Sequence, residues 1–155
     1  MKVFADTNFF TNLWVELPQH ANAQSLCGRL LESTLKLQVT RLLRLELTNA
    51  LQRLIFEARH GVQKLTISPE MASAVRGEFD DALEEGHFLQ WCVIAEDHLE
   101  QMFDSLAYRF TATHGFRTYD ILHVASALVL GCDTFWSFDD RAKKLAELVG
   151  LQVNG

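Results

Sequence analysis

The chain has 155 residues, with 14 Lys and Arg against 20 Asp and Glu, a net charge of -6 and 48% hydrophobic content. That is one domain's worth of chain, 1–155, able to bury a core and too apolar for a disordered segment. No run approaches the roughly 18 apolar residues of a membrane span, and Asp6 interrupts the opening MKVFADTNFF before it could act as a secretory signal.

Taken in chain order, Lys2 to Ala5 is a short apolar run ending at Asp6, which predicts a first strand. Leu26, Leu30, Leu31 and Leu35 recur at helical spacing and predict a helix over roughly 20–35. Leu37 to Thr40 is β-prone. From Leu42 to Arg59 a stripe of Leu43, Leu47, Ala50, Leu51, Leu54 and Ala58 predicts a second helix, closed by His60-Gly61. Ser68-Pro69 supplies a capping hydroxyl and a proline at the first helical position, opening an acidic helix to about Gly86. Phe88 to Ala95 reads as a buried strand, and a helix follows over roughly 96–113. Thr118 to Leu130 is a helix stopped by Gly131, Asp133 to Ser137 a strand, Asp140 to Val149 a helix stopped by Gly150, and Leu151 to Val153 a last strand. Short strands alternating with helices predict an α/β sandwich on a mainly parallel sheet of four or five strands.

Charge is unevenly spread. Residues 29–64 carry seven bases, including Lys64, against three acids, and residues 70–104 carry ten acids against Arg76. The basic segment permits a local phosphate-binding face on an otherwise acidic protein. Cys27, Cys92 and Cys132 lie far apart with no C-x-x-C pair, which points to reduced thiols in a cytosolic protein rather than a zinc site or a disulfide framework.

In open parallel sheets, ligands bind beyond the carboxyl ends of the strands. Asp6 follows the first strand directly, and Asp139 and Asp140 follow the strand DTFWS. Asp120 lies in the first turn of its helix and Glu46 early in the second helix, at the edge of that helix's apolar stripe. Local roles compete with function: an Asx-turn or helix cap for Asp6, Asp139 or Asp140, and a favourable helix dipole for Asp120. Two like charges about 4 Å apart repel by roughly 1 kcal/mol in water and roughly 4 at an effective dielectric of 20. Converging acids therefore need a cation, or must keep protons. Hard oxygen donors suit Mg²⁺ or Mn²⁺, ions that assist phosphodiester hydrolysis. Arg41, Arg44 and Arg117 are candidate phosphate contacts. His123, three residues after Asp120, could face the same rim or simply pack. Phe9, Phe10 and Trp14 could stack bases, sit at a dimer interface or fill the core.

The opening VFADTNFF, the helix LLRLELTNAL and the segment FRTYDILHVASALVLGCDTFWSFDDRAKKLAELVGLQV, in that order and spacing, resemble a PIN-domain ribonuclease, most closely a VapC-type toxin of bacterial VapBC toxin–antitoxin pairs. The resemblance implies a PIN-like α/β/α sandwich and Mg²⁺- or Mn²⁺-dependent cleavage of single-stranded RNA. It places the metal-binding, catalytic carboxylates at Asp6, Glu46, Asp120 and Asp139, the last aligned through Phe138 with Asp140 beside it. Thr7, Asn8, Ser137 and Asp140 would support them. It also implies a homodimer and an antitoxin whose tail blocks the acidic groove. An RNA-maturation nuclease without a toxin role, a binding module without turnover and a phosphotransferase working through Asp6 are the competing readings.

Overall fold

The computed structural model describes residues 1–33, 35–62 and 65–155; the end of the first predicted helix at Thr34 and the base Lys64 lie outside these. The elements are β1 (Val3–Ala5), α1 (Thr7–Trp14), α2 (His20–Glu32), β2 (Leu37–Val39), α3 (Arg41–Arg59), α4 (Pro69–Glu85), β3 (Leu89–Trp91), α5 (Glu96–Leu106), a π-helical turn (Ala107–Thr111), α6 (Ala112–His114), α7 (Thr118–Val129), β4 (Thr134–Trp136), α8 (Asp140–Leu148) and β5 (Gln152–Val153). The sheet order is β3-β2-β1-β4-β5 and every pairing is parallel, with Val3 facing Leu37 on one side and Thr134 on the other.

Alternation along the strands divides the core into two layers. Val3, Ala5, Leu37, Val39 and Trp136 pack with α1 to α4, whereas Phe4 and Phe135 pack with α7 and α8. The chain builds β1, β2 and β3 outward in one direction and then returns to lay β4 on the other side of β1. The order therefore reverses between β1 and β4, where such sheets open a crevice at their carboxyl ends.

Capping chemistry sets the helix starts. Thr40 Oγ1 accepts from Leu43 N at 3.3 Å, and Ser68 Oγ accepts from Met71 N at 3.2 Å with Pro69 next in line. Gly86 ends α4 with φ 67°, a left-handed conformation that a side chain disfavours.

Three features depart from the sequence reading. The helix α1 was not anticipated: its eight residues make barely two turns and directly follow the predicted first strand. Phe9, Phe10 and Leu13 bury its inner face, and Asp6 caps it. Phe9 and Phe10 are fully buried, and Phe10 packs against Trp14 and Phe79, so core filling wins over stacking RNA. The predicted strand over 88–95 is ordered as β3 only from Leu89 to Trp91; Val93 beyond it is 85% exposed. The predicted helix over 96–113 is interrupted by the π-helical turn.

Among the described residues, no helix is long and apolar enough to cross a membrane. The basic face expected from residues 29–64 is partly neutralised within the fold. Arg44 Nε lies 3.7 Å from Asp80 Oδ1, and Arg76 Nε lies 3.2 Å from the same atom.

Candidate functional site: an acidic cleft at the switch point

Asp6, Asn8, Glu46, Arg117, Tyr119, Asp120, His123 and Asp139 line one cleft of about 240 Å³. Four carboxylates that are up to 133 positions apart in sequence thus converge, because β1, α3, α7 and the end of β4 all terminate or begin at this rim.

Asp6 leaves β1 with its backbone N–H donating to Trp136 O at 3.1 Å. Its Oδ1 accepts from Phe9 N at 3.2 Å and so caps α1, while its Oδ2 accepts from Ser137 Oγ at 2.5 Å. Burial pushes the Asp6 carboxyl up to about 7; His123 and the Ser137 and Phe9 hydrogen bonds oppose the rise, and the Asp139 charge adds to it. A carboxylate desolvated to this degree ionises readily only when a positive charge accompanies it.

Asp139 follows β4 and caps α8, its Oδ1 accepting from Arg141 N at 2.8 Å and from Ala142 N at 3.3 Å. Its own N–H donates to Ser137 Oγ at 2.9 Å. The Ser137 hydroxyl therefore joins the β1 acid to the β4 acid. Asp140, the neighbouring candidate, is exposed and is not among the residues lining the cleft. The cap and the cleft role, which were alternatives for Asp139 in the sequence, are both realised by its two oxygens.

Asp120 is buried in the first turn of α7, where its Oδ2 accepts from the backbone N–H of Arg117 at 3.1 Å. The guanidinium of Arg117 spans the cleft, with Nε 3.4 Å from Asp120 Oδ2 and Nη2 2.9 Å from Asp139 Oδ2. Both carboxylates hold that guanidinium more firmly protonated than usual, Asp120 most strongly. On α3, Glu46 Oε2 lies 2.5 Å from His123 Nε2, so the partner that its half-buried setting demands is the imidazole.

Supporting residues divide. Ser137 holds Asp6, and Asn8 Oδ1 accepts from Phe138 N at 2.9 Å, tying α1 to the segment carrying Asp139. Thr7 is buried, and its hydroxyl makes no hydrogen bond to the acids. Arg41 and Arg44 do not line the cleft; they border a separate groove with Leu45 and Trp91. Asn154 escaped notice in the sequence. Its Oδ1 accepts from Ser137 N at 2.9 Å, and nothing in the residue pattern at that end marks it.

Among the described residues, no group of three or more His, Cys, Asp or Glu side chains is gathered closely enough to hold an ion as it stands. Arg117 lies between Asp120 and Asp139, and His123 is closed on Glu46. The donor set nonetheless fits a hard divalent cation: four carboxylates face one cleft, Asp6 is buried and would ionise more readily beside a positive charge, and the Arg117 guanidinium is on the exposed side, at 62% exposure.

No protein-family model matches the sequence, and no curated protein does. Solved structures do match over nearly the whole chain. VapC20 of Mycobacterium tuberculosis, a sarcin–ricin loop cleaving toxin, aligns with TM-score 0.65 at 16% identity over 92% of this chain and 94% of its own. FitAcB from Neisseria gonorrhoeae aligns with TM-score 0.59 at 13% identity over 99% of this chain and 96% of its own. PAE2754 from Pyrobaculum aerophilum aligns with TM-score 0.60 at 16% identity over 99% of this chain and 83% of its own. The chain therefore has the fold of a VapC-type toxin, the family whose motifs its sequence resembles.

Proposed function

We propose that this protein is a metal-dependent endoribonuclease that cleaves single-stranded RNA in the cytoplasm as the toxin of a toxin–antitoxin pair. The observation that carries this reading is the meeting of Asp6, Glu46, Asp120 and Asp139 in one cleft at the reversal of strand order. The fold shared with VapC20, a toxin that cleaves the sarcin–ricin loop, supports it.

In this reading the four carboxylates hold Mg²⁺ or Mn²⁺. When bound, such an ion activates water for attack on phosphorus and offsets charge on the phosphate oxygens. The chain's own residues do the rest. Ser137 ties the Asp6 carboxyl group to the backbone N–H of Asp139, and Asn8 holds the Phe138 backbone against α1. Arg117 is released from Asp120 and Asp139 and turns its guanidinium to a phosphate of the substrate. No side-chain nucleophile takes part.

The test is incubation of the protein with a panel of single-stranded and stem-loop RNAs, a sarcin–ricin-type loop included, in Mn²⁺, Mg²⁺ or EDTA. Discrete internal cuts that require the metal, with ends free of cyclic phosphate, are expected, because water and not the ribose hydroxyl attacks. Absence of cleavage with Mn²⁺ at any protein level would leave a binding module; cleavage in EDTA would remove the metal from the reading.

Replacing Arg117 separates its two roles. Arg117→Gln takes away the cation that occupies the cleft, so Mn²⁺ binding followed by calorimetry should tighten, while RNA affinity measured by filter binding in EDTA should weaken. Looser Mn²⁺ binding in this variant would contradict the release of the guanidinium.

The reading includes two protein partners. A basic antitoxin segment suits the acidic cleft, and co-purification with the product of a neighbouring reading frame tests it. A second copy of the chain suits the apolar face formed by Leu45, Trp91 and Val93, each more than a third exposed. Sedimentation should give a dimer for the wild type and a monomer for Trp91→Glu.

A further inference from the structure

We infer that His123 is a positioning residue, which fixes the Glu46 carboxylate by donating from Nε2 to Oε2 and so sets how that acid meets a divalent cation. The inference rests on the metal-dependent reading above and adds to it a residue outside the carboxylate set. His123 lies one turn beyond Asp120 on α7, and its side chain is 4% exposed. Its Nε2 is 2.5 Å from Glu46 Oε2, and its Nδ1 is buried with no hydrogen-bond partner among the described residues.

These facts together assign the proton. A bare Nε2 facing a carboxylate oxygen at that distance would set lone pair against lone pair, so Nε2 carries hydrogen and donates. The unpartnered nitrogen is then Nδ1, which is buried. The Phe4 ring lies 6.0 Å from the imidazole, centroid to centroid, and tilted to it by 41°.

The pair also bridges the architecture. Glu46 stands on α3, whose apolar face packs in the layer of α1 to α4, and His123 stands on α7 in the opposite layer. A glutamate side chain carries several rotatable bonds and loses freedom only when something holds it. Here a rigid, packed ring from the other side of the sheet holds it, engaging Oε2 and leaving Oε1 without a hydrogen bond among the described residues. Such an outer partner of a metal-binding acid typically changes metal affinity by about ten- to a hundredfold when removed.

The experiment measures Mn²⁺ affinity of the full chain by electron paramagnetic resonance, with circular dichroism confirming the fold of each variant. His123→Leu keeps the volume and removes the donor; His123→Gln places an amide N–H near the position of Nε2. Binding about tenfold or more weaker in His123→Leu, with most of the loss recovered in His123→Gln, is the expected result. Should His123→Leu fail to fold, His123→Asn, whose amide is too short to reach Glu46, takes its place against His123→Gln. Wild-type affinity in the donor-free variant overturns the inference alone, as does equal weakening in all folded variants, which would mark packing. No additional loss when His123→Leu is combined with Glu46→Gln is expected, since the two act through one carboxylate; full additivity overturns the inference. A wild-type chain that binds no Mn²⁺ at all overturns the metal-dependent reading, and this inference with it.

Discussion

Asp6→Asn and Asp120→Asn should each remove RNA cleavage while leaving the chain folded. An amide at position 6 can still accept from Phe9 N through its oxygen, and its NH2 can donate to Ser137 Oγ in place of the bond the carboxylate accepts, so the cap of α1 and the link to β4 survive. An amide at position 120 can likewise accept from Arg117 N. What disappears is the negative charge that would hold a divalent cation. Charge stabilisation by such an ion amounts to several kcal/mol in the transition state, which corresponds to a loss of about a hundredfold or more in rate. Glu46→Gln and Asp139→Asn should behave alike, whereas Asp140→Asn should cleave as the wild type does, since Asp140 is exposed and outside the cleft lining. The rates are compared on one RNA in Mn²⁺, with melting curves run beside them. Wild-type cleavage after simultaneous substitution of Asp6 and Asp120 would place the chemistry elsewhere.

The second large effect is on stability. Burial raises the Asp6 carboxyl from its ordinary 3.8 to about 7 in the folded protein. Between those two values the folded state keeps a proton that the unfolded chain has released. The unfolded state then binds fewer protons, so stability falls as pH rises through this window. Each tenfold difference in proton affinity between the two states is worth about 1.4 kcal/mol, so the metal-free protein should lose up to about 4 kcal/mol between pH 4 and pH 7 through this residue. Asp6→Asn should flatten that part of the profile and melt higher than the wild type at pH 8 in EDTA. Millimolar Mg²⁺ should restore the wild type at pH 8 and do little for the variant. The measurement is urea unfolding of both proteins across the pH range. A stability that rises from pH 4 to pH 7 in the wild type, and a variant weaker than it at pH 8, would show that ionised Asp6 is satisfied within the fold by Ser137 and its neighbours.

The two effects share a cause. In the proposed reading, an acid held in a dry setting with Ser137 and Phe9 as hydrogen-bond partners would be arranged in advance for a cation, and without one would weaken the fold. Arg117 partly fills the gap for Asp120 and Asp139, being the guanidinium within reach of both. It does not lie within hydrogen-bond distance of Asp6 in the structure, which is why the burial penalty stays concentrated on that residue.

The local order of the chain determined a good deal. Apolar spacing marked α2 and α3, Gly131 marked the end of α7, Ser68-Pro69 marked the start of α4, and short β-prone runs marked β1, β2 and β4, because these signals act over a few residues. Placing Asp6 and Asp139 at strand ends followed from the same local reading. The helix α1 was hidden because its eight residues make barely two turns, and the cap made by Asp6 shows where extended chain gives way to helix. Tertiary structure alone put Asp139 and not Asp140 in the cleft lining, since which carboxylate faces it depends on how α8 packs against α7, β4 and β5. It also separated Arg117 from Arg41 and Arg44, set His123 against Glu46 across the sheet, and brought Asn154 to Ser137. Each of those contacts joins residues 17 to 77 positions apart or compares faces of different helices. Such pairings depend on strand order and on the angle of packed helices, which no short stretch of sequence encodes.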